Sequence, residues 1–508
     1  MAISSRASSS PSAGRFEPSK HGRSNLDVII AWVLVASCVA FAIFLASCKN
    51  VLNDEDESFH LRVVNLLEDS PAVQYYVDST SIASTGYLAA TALGAARPGT
   101  HAMSFKALRP QSLDADDTTD PIDLGGSFSQ DFGRDRDYTV FAYGTLNDVR
   151  TFVIDEPSDK GDLDDDFIEW QMVNAAPNLP AVDVYLTAPE AHITSAEKVA
   201  TIDFGGKTTP SKLKLFPRSD VTDEDAALIV DMTFELRDPN TGARLYNSGK
   251  IRVGEQTRLL FAVARNIGPG PSGLVLMGLD GNTSTMQDAD DQAVVRVVHV
   301  SSDTPALDVI RGSSFNTPLA RNIAFRDHSS YVNIPTGEVD LIAVPTGGTN
   351  VFLFVEEFAA LRGGAYSAYA VGPLATVDAR VLTDDRRRVP TQSRFRFLNA
   401  APSQQDGDGV DIYVTLPGQT LDFDSTDDTD TKDDAAQFRR ATTLTFSFSS
   451  DYVTLKSGTY QVRVAATGTS RMLLDTQITV NDGSVQTYVL NDDPDTAVLE
   501  LMPVDEAL

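Results

Sequence analysis

Residues 171–186 read Gln171-Met-Val-Asn174-Ala-Ala-Pro-Asn-Leu-Pro180-Ala-Val182-Asp183-Val-Tyr-Leu186. A short apolar run ends at Asn174, and a loop with two prolines stops it. The chain then resumes in strict alternation, with Val182, Val184 and Leu186 facing one way and Asp183 and Tyr185 the other. Three more segments repeat this layout. They are Arg62-Val-Val-Asn65-Leu-Leu-Glu-Asp-Ser-Pro71-Ala-Val73-Gln74-Tyr-Tyr-Val77, Arg296-Val-Val-His299-Val-Ser-Ser-Asp-Thr-Pro305-Ala-Leu307-Asp308-Val-Ile310, and Arg396-Phe-Leu-Asn399-Ala-Ala-Pro402 followed by Val410-Asp411-Ile-Tyr-Val414. The shared polar position falls at Asn65, Asn174, His299 and Asn399, at spacings of 109, 125 and 100 residues. Those spacings suit a domain and are too long for a solenoid repeat.

Each repeat contains further strand signals. Gly337 to Val344 and Gly458 to Val464 follow glycine turns, and Tyr138–Tyr143, Arg258–Val263, Tyr366–Val371 and Thr487–Leu490 read as closing strands. Strands of this length, separated by turn residues, predict two packed antiparallel sheets per repeat. The expected fold is all-β: four tandem immunoglobulin-like antiparallel β-sandwich modules after an N-terminal apolar signal or anchor helix. The expected boundaries are 1–47 for the signal segment and 48–58 for a tether. Modules 1 to 4 are expected at 59–156, 167–285, 293–385 and 393–505.

This signature, with its Val-Val-Asn/His, short loop, Pro-Ala-Val/Leu-Asp and alternating strand, resembles the domain-of-unknown-function 4397 family. The third repeat is the most similar, through Val371-Gly-Pro-Leu and Val381-Leu-Thr-Asp384. Repeat one departs at Gln74, where the pattern has Asp, and repeat four carries an insertion at 404–409. The resemblance implies extracytoplasmic β-sandwich modules that occur in tandem in bacterial envelope proteins. It brings no catalytic residue or ligand.

Composition narrows the function. The chain has 508 residues, 41 Lys+Arg against 71 Asp+Glu, and a net charge of −30. Nucleic acid is excluded as a partner, because phosphate binding requires clustered Lys and Arg. Two cysteines cannot form a disulfide framework or a cysteine-based metal centre.

Both cysteines lie near the N-terminus, in the uncharged run Val28–Ser47 and just after it. Arg6, Arg15, Lys20 and Arg23 precede that run, which is the layout of a secretory signal. About twenty apolar residues also suffice to cross a bilayer, so a retained transmembrane helix competes with cleavage. The run ends in Leu45-Ala46-Ser47-Cys48, which resembles the lipobox of bacterial lipoproteins and implies acylation of Cys48. Val35-Ala36-Ser37-Cys38 matches as well, but cleavage there would leave an exposed apolar tail. Lys49 after the cysteine favours the outer membrane over the inner in a Gram-negative envelope. Either reading puts the modules outside the cytoplasm, anchored at a membrane.

For chemistry, the recurrent Asn65, Asn174, His299 and Asn399 could join Asp183, Asp308 or Asp411 in a polar site. The competing reading is that each closes its own loop on backbone groups, and recurrence in four modules favours it. Acidic runs lie at 114–120, 162–166, 288–291, 406–408 and 427–434. Asp406 and Asp408 are the nearest approach to a calcium loop, although no bidentate Glu follows. No nucleophile elbow, phosphate loop or His-Glu-x-x-His occurs. Trp170 is expected in a core, which weakens a carbohydrate platform.

The expected function is a non-enzymatic envelope scaffold or binding protein without a cofactor, its partner a protein or envelope component. A calcium-stabilised adhesin using the acidic loops 111–137 and 404–437 is the alternative. A hydrolase with an unrecognised carboxylate site comes third.

Overall fold

The computed structural model describes residues 58–506 apart from 111, 115–116, 118–119, 159–162, 218–226, 268–272, 280–282, 313–316, 406, 422–437, 494–495 and 497. The apolar run 28–47 and Leu45-Ala46-Ser47-Cys48 lie outside the described residues. Among the described residues there is no α-helix, and no helix is long and apolar enough to cross a membrane. Among the described residues, regular structure consists of strands and three short 3₁₀ turns.

The strands form eight sheets, two for each repeat. Module 3 has the simplest arrangement. One sheet runs Val332–Ile334, Ala293–His299, Ala365–Val371, Asp378–Thr383; the other runs Ala320–Ile323, Leu307–Arg311, Gly337–Pro345, Leu353–Ala360. Modules 1, 2 and 4 keep this order; modules 1 and 2 split some strands in two, and module 2 adds the edge strand Thr283–Gln287. The structure departs from the expected arrangement in two ways. In an immunoglobulin sandwich the first two strands share a sheet, whereas here they lie in opposite sheets, because the proline turn at Pro71, Pro180, Pro305 or Pro402 carries the chain across. In addition, the sheets are not wholly antiparallel. The first strand pairs in parallel with the strand expected to close the module, as in Val294↔Ala365 to His299↔Ala370, and likewise in the other three. A further antiparallel strand follows it in every module.

The second strand alternates as its sequence predicts: Val182, Val184 and Leu186 are buried in the core of module 2 with Trp170, whose ring lies 5.1 Å from Phe234. The first strand is different, being buried on both faces. In module 1, Phe59, Leu61 and Val63 point into the sandwich, while Val64 and Leu66 point out of it. The outward residues do not meet water. They join Phe141 and Ile154 against Val173, Leu260 and Met277 of module 2. Modules 3 and 4 meet in the same way, through Val298, Tyr369, Leu398 and Val489. The modules therefore sit back to back as two pairs, each pair joined through its parallel-strand sheets. Burying each such large side chain contributes about 1.5–3 kcal/mol, which is why these strands read as unbroken apolar runs. Close approach at the first pair also needs Gly205. It has φ of +74°, and a Cβ there would sit 2.5 Å from the Tyr143 hydroxyl.

Candidate functional site

The recurrent polar residue sits where the first strand ends, and all four copies are fully buried. Asn65 Nδ2 donates to the Thr85 carbonyl at 3.1 Å, and Oδ1 accepts the Leu67 amide at 3.0 Å. Asn174 donates to Leu179 and Ile202 carbonyls at 3.0 and 3.3 Å and accepts the Ala176 amide at 3.2 Å. Asn399 donates to the Leu444 carbonyl at 2.9 Å and accepts the Ala401 amide at 3.3 Å. Thr85, Ile202 and Leu444 belong to the third strand, in the opposite sheet. Each amide side chain therefore holds its own turn and ties it across the sandwich.

His299 holds its turn with a ring, through contacts within its own loop. Nδ1 accepts the Ser301 amide at 3.3 Å, and Nε2 lies 3.2 Å from the Pro305 carbonyl, which fixes the proton on Nε2. Burial holds its pKa below the ordinary histidine range, against the opposing pull of the Pro305 and Thr304 contacts. A depressed histidine gives its full stabilisation above its unfolded pKa of about 6.5 and loses it as pH falls from there through the lower folded value. Asparagine cannot titrate. We therefore expect His299→Asn to flatten the acid limb of the stability profile by up to about 1.4 kcal/mol per pH unit. Urea titrations of wild type and variant between pH 7 and 5 check this; parallel profiles would count against it.

The aspartates lie one strand further on. Asp308 accepts the Asn322 and Gly347 amides at 2.8 and 3.1 Å, and Asp411 accepts the Thr443 and Gly468 amides at 2.8 and 3.1 Å. Burial would raise the Asp308 pKa, but those two amides outweigh it and hold the carboxyl below its usual range. Asn322 and Thr443 have φ of +53° and +52°, a conformation that the carboxylate stabilises. Asp183 pairs with Lys198 and Thr201, both at 2.7 Å. Gln74, which replaces Asp in module 1, bonds Ser81 at 2.7 Å. The Asn/His and Asp positions share no partner, so the structure brings together no polar pair of the kind the spacing suggested.

Asp406 lies outside the described residues, and Asp408 is exposed. Among the described residues no three His, Cys, Asp or Glu side chains are grouped to hold a metal ion. Several acidic runs close turns instead. Asp288 accepts the Asp290 amide at 2.9 Å, and Asp166 pairs with Lys214 at 2.9 Å. The stretch 111–137, expected as one exposed acidic loop, contains the strands Ile122–Asp123 and Phe128–Phe132 and the buried Leu113. Its apolar residues pull it back onto the modules.

The arginine that opens three of the four signatures went unread in the sequence. Arg62 Nε donates to Thr139 at 2.6 Å, Arg296 Nε to Ser367 at 2.7 Å and Arg396 Nε to Thr487 at 2.9 Å, each across the parallel pair. Arg396 also reaches module 3, donating to the Thr383 carbonyl at 2.7 Å and Asp384 at 2.6 Å, and it bonds Glu506, at the end of its own module, at 3.0 Å. Arg296 returns the contact through the Asp505 carbonyl. Tyr331 and Ser367 bond Asp384 at 2.7 and 2.6 Å, while Tyr452 and Thr487 bond Glu506. Burial raises the Glu506 pKa, and Asp384 adds to the rise, while Arg396 opposes it. This cluster of two arginines and two carboxylates is the polar centre of the module 3–4 face. The signal for it was a charged residue recurring inside an otherwise apolar strand.

The sequence pattern of one family, described as Domain of unknown function (DUF4397), matches residues 59–185 and 293–413. The chain carries tandem DUF4397 modules. Each DUF4397 match starts at the first strand of a back-to-back pair and ends in the second strand of that pair's other module. No curated protein sequence matches the chain. Among solved structures, a candidate adhesin from Bacteroides ovatus shares 10% identity over 47% of this chain and 98% of its own, with a TM-score of 0.15. The Bacillus anthracis TIE protein shares 8% over 86% of this chain and 69% of its own, with a TM-score of 0.14. At such scores neither superposes on the chain as a whole.

Proposed function

We propose that this protein is a non-enzymatic component of a bacterial cell envelope, a scaffold or binding protein that carries four β-sandwich modules outside the cytoplasm. The observation that carries the reading is the use made of the recurrent polar residues. Asn65, Asn174, His299, Asn399, Asp308 and Asp411 are spent on backbone groups of their own modules. A repeated signature of that kind builds a frame, and recognition falls to the surfaces and loops that the frame holds.

Acylated Cys48 would anchor the chain, with residues 49–58 as the tether; several acyl chains are needed for a lasting hold. Mass spectrometry of the membrane-extracted protein should find Cys48 as an acylated N-terminal residue. An unmodified Cys48 with residues 28–47 still attached would sink the anchor. Position in the envelope is tested by treating intact cells with an Asp/Glu-directed protease and mapping the peptides. Cuts within 404–437 before permeabilisation would place the modules outward and favour capture of an external partner. Cuts only after permeabilisation would favour an internal scaffold, and an uncut protein in opened cells would contradict exposed acidic loops altogether.

A further inference from the structure

Modules 1 and 4 stand at opposite ends of the sequence and still touch. In module 1 the connection between the strands Gly99–Ala107 and Ile122–Asp123 is long, 108–121, where its counterparts span only 238–243, 346–352 and 467–471. Long connections between strands tend to have a use. Here Leu113 leaves module 1 and is buried in the core cluster of module 4 with Leu455, Tyr460 and Val480. Asp117, on the same connection, pairs with Lys456 of module 4 at 2.9 Å and accepts the Ser112 hydroxyl at 3.1 Å. A second contact comes from the segment joining modules 3 and 4. Arg387 donates to the Ser70 carbonyl at 2.6 Å and lies 5.7 Å from the Tyr87 ring. Between these two contacts an open cleft is lined by Pro71, Leu108 and Arg109 on one side and by Gln392, Tyr452 and Thr454 on the other.

The contacts differ greatly in extent. Modules 1 and 2, and modules 3 and 4, meet over whole apolar sheet faces. The described contacts between modules 1 and 4 are a buried leucine, a half-exposed ion pair and an arginine. The weakest joint in a closed chain is the one that opens first.

We propose that Leu113, the Asp117–Lys456 pair and Arg387 form a releasable clasp. It holds the two module pairs closed over the cleft, and its opening turns the pairs apart about the segment that joins modules 2 and 3. This deepens the reading of the protein as a binding scaffold, because opening would uncover both the cleft and the seat of Leu113. Opening would also free Arg387, a tryptic site whose side chain is held against Ser70 and Tyr87 of module 1.

The test uses the full chain in detergent, with trypsin cleavage after Arg387 and hydrogen exchange as readouts. Leu113→Asp should speed that cleavage about tenfold or more, since cleavage follows the population of the open form. Asp117→Lys and Lys456→Asp should each raise it about two- to fivefold, and the double variant should return it toward wild type. Exchange should rise around Ser70 and at 385–392 and stay unchanged in the inner strand Gly458–Ala466. Cleavage and exchange at wild-type rates in Leu113→Asp would overturn the clasp. So would a matching rise within Gly458–Ala466, which would mean that module 4 had loosened. These readouts do not depend on where the protein resides or what it binds, so the clasp can fail while the scaffold reading stands.

Discussion

Replacing Arg396 with methionine is expected to lower the stability of modules 3 and 4 by about 3–5 kcal/mol, the usual cost of removing one partner from a buried charge cluster. Arg396 Nη2 is bonded to Asp384 and Glu506, and neither carboxylate side chain is exposed. Methionine fills most of the volume but leaves two buried carboxylates facing each other. The loss should shrink in acid. Glu506 already has its pKa raised by burial, with Asp384 adding to it, and removing Arg396 raises it further. A carboxyl raised in the fold gives its full stabilisation below its unfolded pKa, near 4.5, and loses it as pH rises through the folded value. The variant should therefore stand nearer to wild type at pH 4–5 than at pH 7. Arg296→Met is the comparison, since Arg296 bonds Ser367 and the Asp505 carbonyl and should cost less. Urea unfolding followed by hydrogen exchange separates modules 3 and 4 from the rest. Equal losses for the two variants, or a loss independent of pH, would show that the carboxylates are not what Arg396 compensates.

The cluster also marks the limit of what the sequence disclosed. Alternation located the second strand correctly, because one face of it meets the core and the other is partly open. Val182, Val184 and Leu186 are core residues, while Tyr185 is half-buried. The first strand gave no such contrast. Its outward residues, such as Val64, Leu66, Val298 and Leu398, are covered by another module, and apolar residues on both faces do not say what covers them. Back-to-back pairing was hidden for that reason. Parallel pairing of the first strand was hidden too, since the residues that specify it, Arg62 with Thr139 and Arg396 with Thr487, are separated by most of a module. The clasp was the least legible feature. Leu113 is a single apolar residue among aspartates, and nothing in its neighbourhood says that module 4 is its destination. What was legible was the turn. A polar residue recurring beside a proline loop in four modules read as a loop closer, and in the structure each of the four side chains accepts the amide two residues further on.

That turn supplies the second large effect. Asn399→Leu should cost module 4 about 2–5 kcal/mol, because the substitution strands both groups that the amide satisfies. The Leu444 carbonyl would lose its donor at 2.9 Å and the Ala401 amide its acceptor at 3.3 Å. Neither can turn to water, since Asn399 is fully buried beside Phe397 and Ala401. The branched leucine would also crowd a site shaped for a flat amide. Asn399→His should cost less at pH 7, because His299 in module 3 accepts the equivalent amide, that of Ser301, through Nδ1 and turns Nε2 to a loop carbonyl, that of Pro305. The only tryptophan beyond the apolar run, Trp170, belongs to module 2, so intrinsic fluorescence would miss the change. Hydrogen exchange of Val410–Thr415 and Gly458–Ala466 reports on module 4 directly. If leucine and histidine proved equally damaging, the site would be responding to volume alone, and the hydrogen bonds would not be what the recurrent residue supplies.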